Sequence, residues 1–418
     1  MKRYLLISLV IFSYFLLAGC ANTRPPSMNA SLSHETWMRS IDSNPNAWAQ
    51  GADRWFFTGD PNRTEIENRR APYGEVISTM RVRVANFSRI RTNGDFQVQI
   101  FGTYGPNSVY IYGPNPAVRN TVIQVRGDTL CLDQVKRGFG GMHRVIIRIG
   151  INQFHGLTQF GYGCVEGIQL HSNGLTIAQA GSGNIYLAGD MNVQCVTNTG
   201  SGMVNVFGAN THSLIIKTRA RGGVNVSGHV GVRQIVHLGA NNINIIGASG
   251  GALSVYADGS GKIGINGIVN VCTIKAKHNT CVYINRVNSG TLYAYLYDRA
   301  RVGVAGFAGH LYVDAHDSSQ FEGHYLCTLA AFVRAYNSSH INVTSRKLFA
   351  SATQNASVYF YGTPSSLSQF VSGNGIIIPI WYRYRQICPM VEIRPRISYK
   401  GENNHSHYYS PRAAWKHK

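Results

Sequence analysis

Side chains able to do acid–base or metal chemistry are sparse where the chain is most regular. Between Gly181 and Gly362 only six carboxylates occur: Asp190, Asp258, Asp298, Asp314, Asp317 and Glu322. Glycosidic cleavage needs two carboxylates facing one bond, or a metal held by carboxylates. Asp258, Asp298 and Asp317 recur at intervals of 40 and 19 residues, with Asn337 a further 20 on. They are expected to stack along one turn, about 5 to 10 Å apart. Such a column could hold a weakly bound cation, but Asx residues also tolerate left-handed turns, and that is the favoured reading. The fifteen histidines form no His-Glu-x-x-His motif; His405, His407 and His417 merely gather near the C-terminus. No recognisable nucleophile motif accompanies the Ser and His residues. The chain is therefore read as non-enzymatic, with no catalytic residue, no metal and no cofactor.

What would position any surface is a repeat. A short motif ending at Gly189 returns at Gly208, Gly228, Gly247, Gly267, Arg286, Gly306, Tyr325, Ser345 and Gly362, in steps of 19 or 20 residues and a last one of 17. Four and two residues before each end position stand apolar pairs, from Ile185/Leu187 and Val204/Val206 to Val358/Phe360; only Phe321/Gly323 is weak. Spacing of two is strand periodicity with one face buried. A looser second strand follows most glycines, as in Leu214-Ile215-Ile216 and Leu292-Tyr293-Ala294. A unit this small cannot bury its own apolar face and must stack on its neighbours. The fold class is thus all-β, a single-stranded parallel β-helix of about ten coils. A propeller blade would need about 40 residues and four strands.

The N-terminus reads as a secretory signal over residues 1–19: Lys2 and Arg3, an apolar run from Leu5 to Leu17, then Leu17-Ala18-Gly19-Cys20. Those four residues resemble a bacterial lipobox, which implies cleavage between Gly19 and Cys20 and lipidation of Cys20. Several acyl chains give stable anchoring. Ala21 in place of an aspartate resembles lipoproteins sent to the outer membrane, so the chain is expected on that membrane, facing the periplasm or the cell surface. Seven other cysteines remain, an odd number, so at least one stays unpaired within a monomer. Buried thiols acting as small apolar residues are the expected state. Cys131 and Cys164 are the pair to test first for a disulfide.

Thirty-nine Lys and Arg against nineteen Asp and Glu give a formal charge of +20. Partners for such a chain include nucleic acid, anionic lipid, and acidic or phosphorylated polysaccharide; the secretory signal argues against nucleic acid. Residues 20–75 form a tether and then a Trp-rich region with Trp37, Trp48 and Trp55, either a cap on the solenoid or a docking patch. Solenoids need such caps. Residues 76–180 hold initial strands and an expected insertion at 131–164, and residues 181–364 hold the regular coils. In residues 365–418, Ile376–Ile380 is expected to close the far end. A basic aromatic tail follows, opening with Trp381, Tyr382, Arg383, Tyr384 and Arg385. Aromatic and basic interleaving suits a protein interface or an anionic surface.

Phe87-Ser-Arg-Ile90, Gly94-Asp-Phe-Gln-Val-Gln-Ile100, Val109-Tyr-Ile-Tyr-Gly113 and Asp128-Thr-Leu130 resemble the opening of the auto-transporter adhesin head, or GIN, domain family. The resemblance extends over roughly residues 80–362. It implies a parallel β-helix outside a bacterial cell and assigns no catalytic residue. The segment Lys136–Arg144, a loop from Asn152 to Gly163, and everything after Pro364 depart from that pattern. The combined reading is an outer-membrane lipoprotein that acts as an interaction scaffold in an envelope assembly, such as a secretion apparatus. A surface adhesin binding glycans or matrix is the alternative, and a polysaccharide-active enzyme a remote third.

Overall fold

The computed structural model describes residues 77–135, 145–219 and 221–380. They are nearly all strand and form a β-solenoid of about 12 turns. The chain divides into two compact units, Met1–Asn285 and Arg286–Lys418.

Unit 1 begins with β1 (Ile77–Val82), β2 (Arg89–Asn93), β3 (Phe96–Gly102), β4 (Ser108–Pro114), the short helix α1 (Asn115–Arg119), β5 (Thr121–Arg126) and β6 (Thr129–Gln134). After these come β7 (Val145–Ile151), β8 (Gly156–Gln159) and the long strands β9 (Val165–Gln179), β10 (Ile185–Asn198), β11 (Val204–Thr218), β12 (Val224–His237), β13 (Asn242–Gly259) and β14 (Lys262–His278). From β9 onward each strand lies parallel to the next with a register of 19 or 20 residues, as in Ile185↔Val204↔Val224↔Ile243↔Ile263. Those five side chains are fully buried. Each contributes about 1.5 to 3 kcal/mol by leaving water, and the column continues only while every coil supplies its member.

The two strands expected per coil are one continuous strand bent at the repeat glycine. The bend needs glycine for two reasons at once. Gly228 and Gly267 have φ of +139° and +149°. A Cβ at Gly267 would stand 2.0 Å from the carbonyl oxygen of Ala248 in the preceding coil.

The start of unit 1 is not stacked in chain order. β3 lies between β7 and β9, and β2 lies between β6 and β8, all in parallel. Antiparallel pairing of β1 with β4, β4 with β7, and β5 with β6 covers this end. The Trp-rich region, read as a cap or a docking patch, lies outside the described residues. The expected interruption from Asn152 to Gly163 is instead an ordinary coil. β8 pairs with β2 and β9, and the turn at Gly161 and Gly163 is bonded to the turn of the next coil through Ser182 N–H and Gly183 N–H, both donating to the Gly161 carbonyl. Its glycine turn matches the later ones; what hid it was the out-of-order strand beneath.

β15 (Cys281–Leu296) spans the boundary between the units, and unit 2 continues with β16 (Arg301–Ala315), β17 (Gln320–Ala335), β18 (His340–Gln354), β19 (Ser357–Tyr361), β20 (Ser366–Gly373) and β21 (Ile376–Ile380). The weak Phe321/Gly323 unit is nonetheless a rung, with Phe321 fully buried between Val302 and Ile341. Ile376–Ile380, expected to close the far end, is the last described strand. It is a further rung, parallel to β19, and Leu367 and Val371 of β20 remain 43% and 48% exposed.

Candidate functional site

Period-two alternation sends every second residue of β15 to β18 outward, and in unit 2 that outward column is aromatic. Leu292 and Ala294 are buried while Tyr293 between them is exposed. Tyr293, Tyr312, Phe332 and Phe349 stack successively with centroids 4.9, 4.9 and 4.7 Å apart and planes within 14°. That spacing is the rung spacing, so the backbone holds the rings at stacking distance. Each stacked pair is worth about 0.5 to 1.5 kcal/mol beyond its buried area. A second stack, Tyr297, His316 and Tyr336, runs beside it with centroids 5.2 and 4.6 Å apart. The strings Leu292-Tyr293-Ala294, Leu311-Tyr312-Val313, Ala331-Phe332-Val333 and Leu348-Phe349-Ala350 carried the signal for the first ladder, a ring at a constant place in successive units.

The acidic column lies one residue beyond the second stack. Asp298, Asp317 and Asn337 have φ of +61°, +60° and +60°. Asn337 Nδ2 donates to Asp317 Oδ1 at 3.0 Å, and Asp298 N–H donates to Asp317 Oδ2 at 3.2 Å. The side chains are spent on the turns. Asp258 lies in unit 1. The positive-φ positions beside it are the register partners Gly259 and His278, and Asp258, one residue before Gly259, is not among them. Asp258 instead accepts from the Tyr256 hydroxyl and lies 2.6 Å from His278 Nδ1.

Where the repeat glycine is replaced by Tyr325, the register breaks. β17 pairs Gly323 with Val343 but Cys327 with Thr344, which leaves His324, Tyr325 and Leu326 as extra residues at the corner. Glu322 sits at this bulge. Asn342 Nδ2 donates to its Oε2 at 2.7 Å, and His324 Nδ1 lies 3.5 Å from the same oxygen. Burial opposes the Glu322 charge, yet contact with His324 and Asn342, together with the charges of His324 and His340, holds its carboxyl below the usual range. Tyr361 packs against His324, and Tyr359 against His340. This corner is a polar and aromatic cluster that the sequence reading passed over, although the one weak repeat marked its place.

Unit 1 carries polar ladders instead. Asn244 donates to Asn225, and Asn225 to Asn205, along the outer face. Inside, Gln159, Gln179, Asn198, Thr218 and His237 form a buried column at steps of 20, 19, 20 and 19 residues. The amides of Gln159, Gln179 and Asn198 donate to the carbonyls of Gly163, Gly183 and Gly202, closing the turns that glycine makes tight. Thr218 Oγ1 meets His237 Nδ1 at 2.7 Å, and burial pushes that imidazole down to about 4. Glu166 is raised by burial, against hydrogen bonds from Gln97 and Cys164. Cys131 and Cys164 are both thiols, so the pairing expected between them does not form. The Cys131 thiol contacts the Thr129 carbonyl and Cys164 contacts Glu166; they stand on different coils with β2 and β3 between.

Gly19, Cys20, Trp37, Trp48, Trp55, Trp381, Tyr382, Arg383, Tyr384 and Arg385 lie outside the described residues. Among the described residues no three His, Cys, Asp or Glu side chains converge as a metal site, and no helix is long and apolar enough to cross a membrane.

Regular parallel coils with aromatic, asparagine and turn ladders define a β-solenoid. Residues 86–273 match the family model described as "Putative auto-transporter adhesin, head GIN domain", a narrower span than the 80–362 over which the cadence extends. Among solved structures, the chain is similar to one described as a putative lipid binding protein from Parabacteroides distasonis ATCC 8503, at 13% identity. The match covers 73% of this chain and 97% of that one, with a TM-score of 0.26. Two others are described as putative adhesins. One is from Bacteroides fragilis NCTC 9343, at 15% identity, 73% and 97% coverage and a TM-score of 0.20. The other is from Parabacteroides distasonis ATCC 8503, at 11% identity, 73% and 98% coverage and a TM-score of 0.24. No curated protein matches the chain.

Proposed function

We propose that the chain is a lipid-anchored scaffold of the bacterial envelope, held to the outer membrane through Cys20, which binds other envelope proteins through outward faces of its solenoid. The observation that carries this reading is the aromatic ladder of Tyr293, Tyr312, Phe332 and Phe349. Tyr293 and Phe349 at its ends are 39% and 40% exposed, and large aromatic residues are enriched at protein interfaces. The rigid columns beneath hold the rings in place before a partner arrives, which lowers the ordering cost of binding. The lipobox sequence and the match of residues 86–273 to an adhesin head domain support a place at the envelope.

The test is a native pull-down of the tagged, lipidated protein from gently solubilised outer membranes, beside a variant carrying Y312S and F332S whose fold is checked by circular dichroism. Envelope proteins recovered in stoichiometric ratio with the wild type, and lost from a folded variant, would support the scaffold. Recovery of the wild type alone would refute it. The family description favours a second reading, a surface adhesin for glycans or matrix. That reading requires whole cells to expose the solenoid and to lose attachment when residues 77–380 are deleted.

A further inference from the structure

The two aromatic stacks of unit 2 enclose a column of another kind. Strand alternation places Tyr295 between Tyr293 and Tyr297, and Asp314 between Tyr312 and His316. Arg334 stands likewise between Phe332 and Tyr336, in register with Asp314 on one side and Ser351 on the other. A carboxylate and a guanidinium thus occupy neighbouring coils, about 4.8 Å apart at the backbone, on an aromatic face. They do not pair: among the described residues no ion pair involves either. Asp314 Oδ1 is buried and finds no hydrogen-bond partner among those residues, while Arg334 is exposed. A buried carboxylate oxygen left unpaired is costly, so the face is short of a donor that its own chain does not bring.

The face is complementary to itself. A two-fold axis laid along the strand direction between β16 and β17 exchanges those two coils, and β15 with β18. Two copies brought together about it, sheets about 10 Å apart, set Asp314 against the partner's Arg334 and Arg334 against the partner's Asp314. The same operation sets Tyr312 on the partner's Phe332, Tyr293 on the partner's Phe349 and His316 on the partner's Tyr336, so rings meet rings on both sides of the charges. Such an isologous interface uses one patch twice, as dimers with two-fold symmetry do. The chain's charge of +20 opposes self-association elsewhere, but this face, with one charge of each sign between its rings, is neutral. We infer that unit 2 pairs with a second copy of this chain through this face, in antiparallel orientation, with two reciprocal Asp314–Arg334 ion pairs at the centre. The inference rests on the reading of the ladder as an interface and names its partner. Four coils by three outward columns span about 19 by 20 Å, or about 400 Å² per copy, half of the roughly 800 Å² that a stable interface buries on each side. The pairing is therefore reversible and concentration-dependent.

The test is sedimentation equilibrium of the full protein in density-matched detergent, from low micromolar to several hundred micromolar. The wild type should show a monomer–dimer equilibrium. R334D, at an exposed position, sets like charges against each other twice and should weaken the dimer by at least about ten-fold. D314R should do the same. The decisive sample is an equimolar mixture of these two variants, in which every facing pair is again opposite in sign: heterodimers should form where neither variant pairs alone. The exchanged double variant D314R/R334D should dimerise as the wild type does. A wild type monomeric throughout the range would overturn the inference. An R334D dimer of undiminished strength would overturn it too, and would mark association through the detergent micelle or another face. If circular dichroism shows D314R unfolded, R334D decides the matter by itself. A monomeric wild type that still recovers envelope proteins in the pull-down would overturn the pairing and leave the scaffold standing, whereas a dimer that recovers none would support the pairing and overturn the scaffold.

Discussion

Acid should loosen unit 1 through His237. The ring is fully buried, and burial holds its pKa near 4 rather than the ordinary 6.5, an upward pull from a backbone hydrogen bond at Gly239 offsetting only part of this. Its Nδ1 is engaged by Thr218, and Gly261 lies so close that a Cβ there would overlap the ring. In the unfolded chain the ring protonates near 6.5. As the pH falls through that value the unfolded state binds the proton first, and stability is lost until the folded ring also protonates near pH 4. A difference of about 2.5 units at about 1.36 kcal/mol each is about 3.4 kcal/mol, of which about 2 is gone by pH 5. Glutamine already fills this column at positions 159 and 179, so H237Q should fold. Urea denaturation between pH 7 and pH 4.5 is the assay, because other titrating groups cancel in the difference between the two proteins. The wild type should lose about 2 kcal/mol more than H237Q by pH 5. Parallel curves for the two proteins would refute the buried neutral imidazole.

Glu166 titrates in the opposite sense. Its raised pKa means that stability is fully present below the ordinary carboxylate value and lost as the pH rises through the folded value. E166Q should therefore raise the urea midpoint at pH 7 and confer no advantage below pH 4. At Gly306, φ is +128° and a Cβ would stand 2.2 Å from the Val287 carbonyl. G306A should cost about 1 to 3 kcal/mol or more, whereas G290A, where a Cβ meets nothing within 4 Å, should shift the thermal midpoint little. F332A breaks two ring contacts in the outward ladder. It should lower stability by about 1 to 3 kcal/mol from lost stacking, measured by thermal unfolding, and a smaller loss than G306A would be consistent with a partly exposed site.

Much of the fold was legible because solenoid geometry is local and repeated. Apolar pairs two residues apart, returning every 19 or 20, leave one way to bury each face, and Ile185, Val204, Val224, Ile243 and Ile263 fall into one column as that pattern requires. The repeat glycine was visible as a letter, and its cause, a carbonyl of the previous coil where a Cβ would be, was not. The buried column from Gln159 to His237 was written at the same period, yet polar residues at strand ends look like turn residues until the strand bends and turns them inward.

Composition, period and the spacing of apolar pairs by themselves determined that this chain is a parallel β-solenoid, since each coil's pattern is complete within its own twenty residues. Tertiary structure alone decided three things. It placed β2 and β3 between coils that follow them in the chain, because strand pairing at the capped end joins segments up to about 70 residues apart. It gave the left-handed turn to the register partners Gly259 and His278 rather than to Asp258, because a turn takes its place from register, and one residue of register moves a side chain off the column. It set Cys327 three rungs from Ile380, because parallel stacking turns a distance of 53 residues along the chain into a few steps across it.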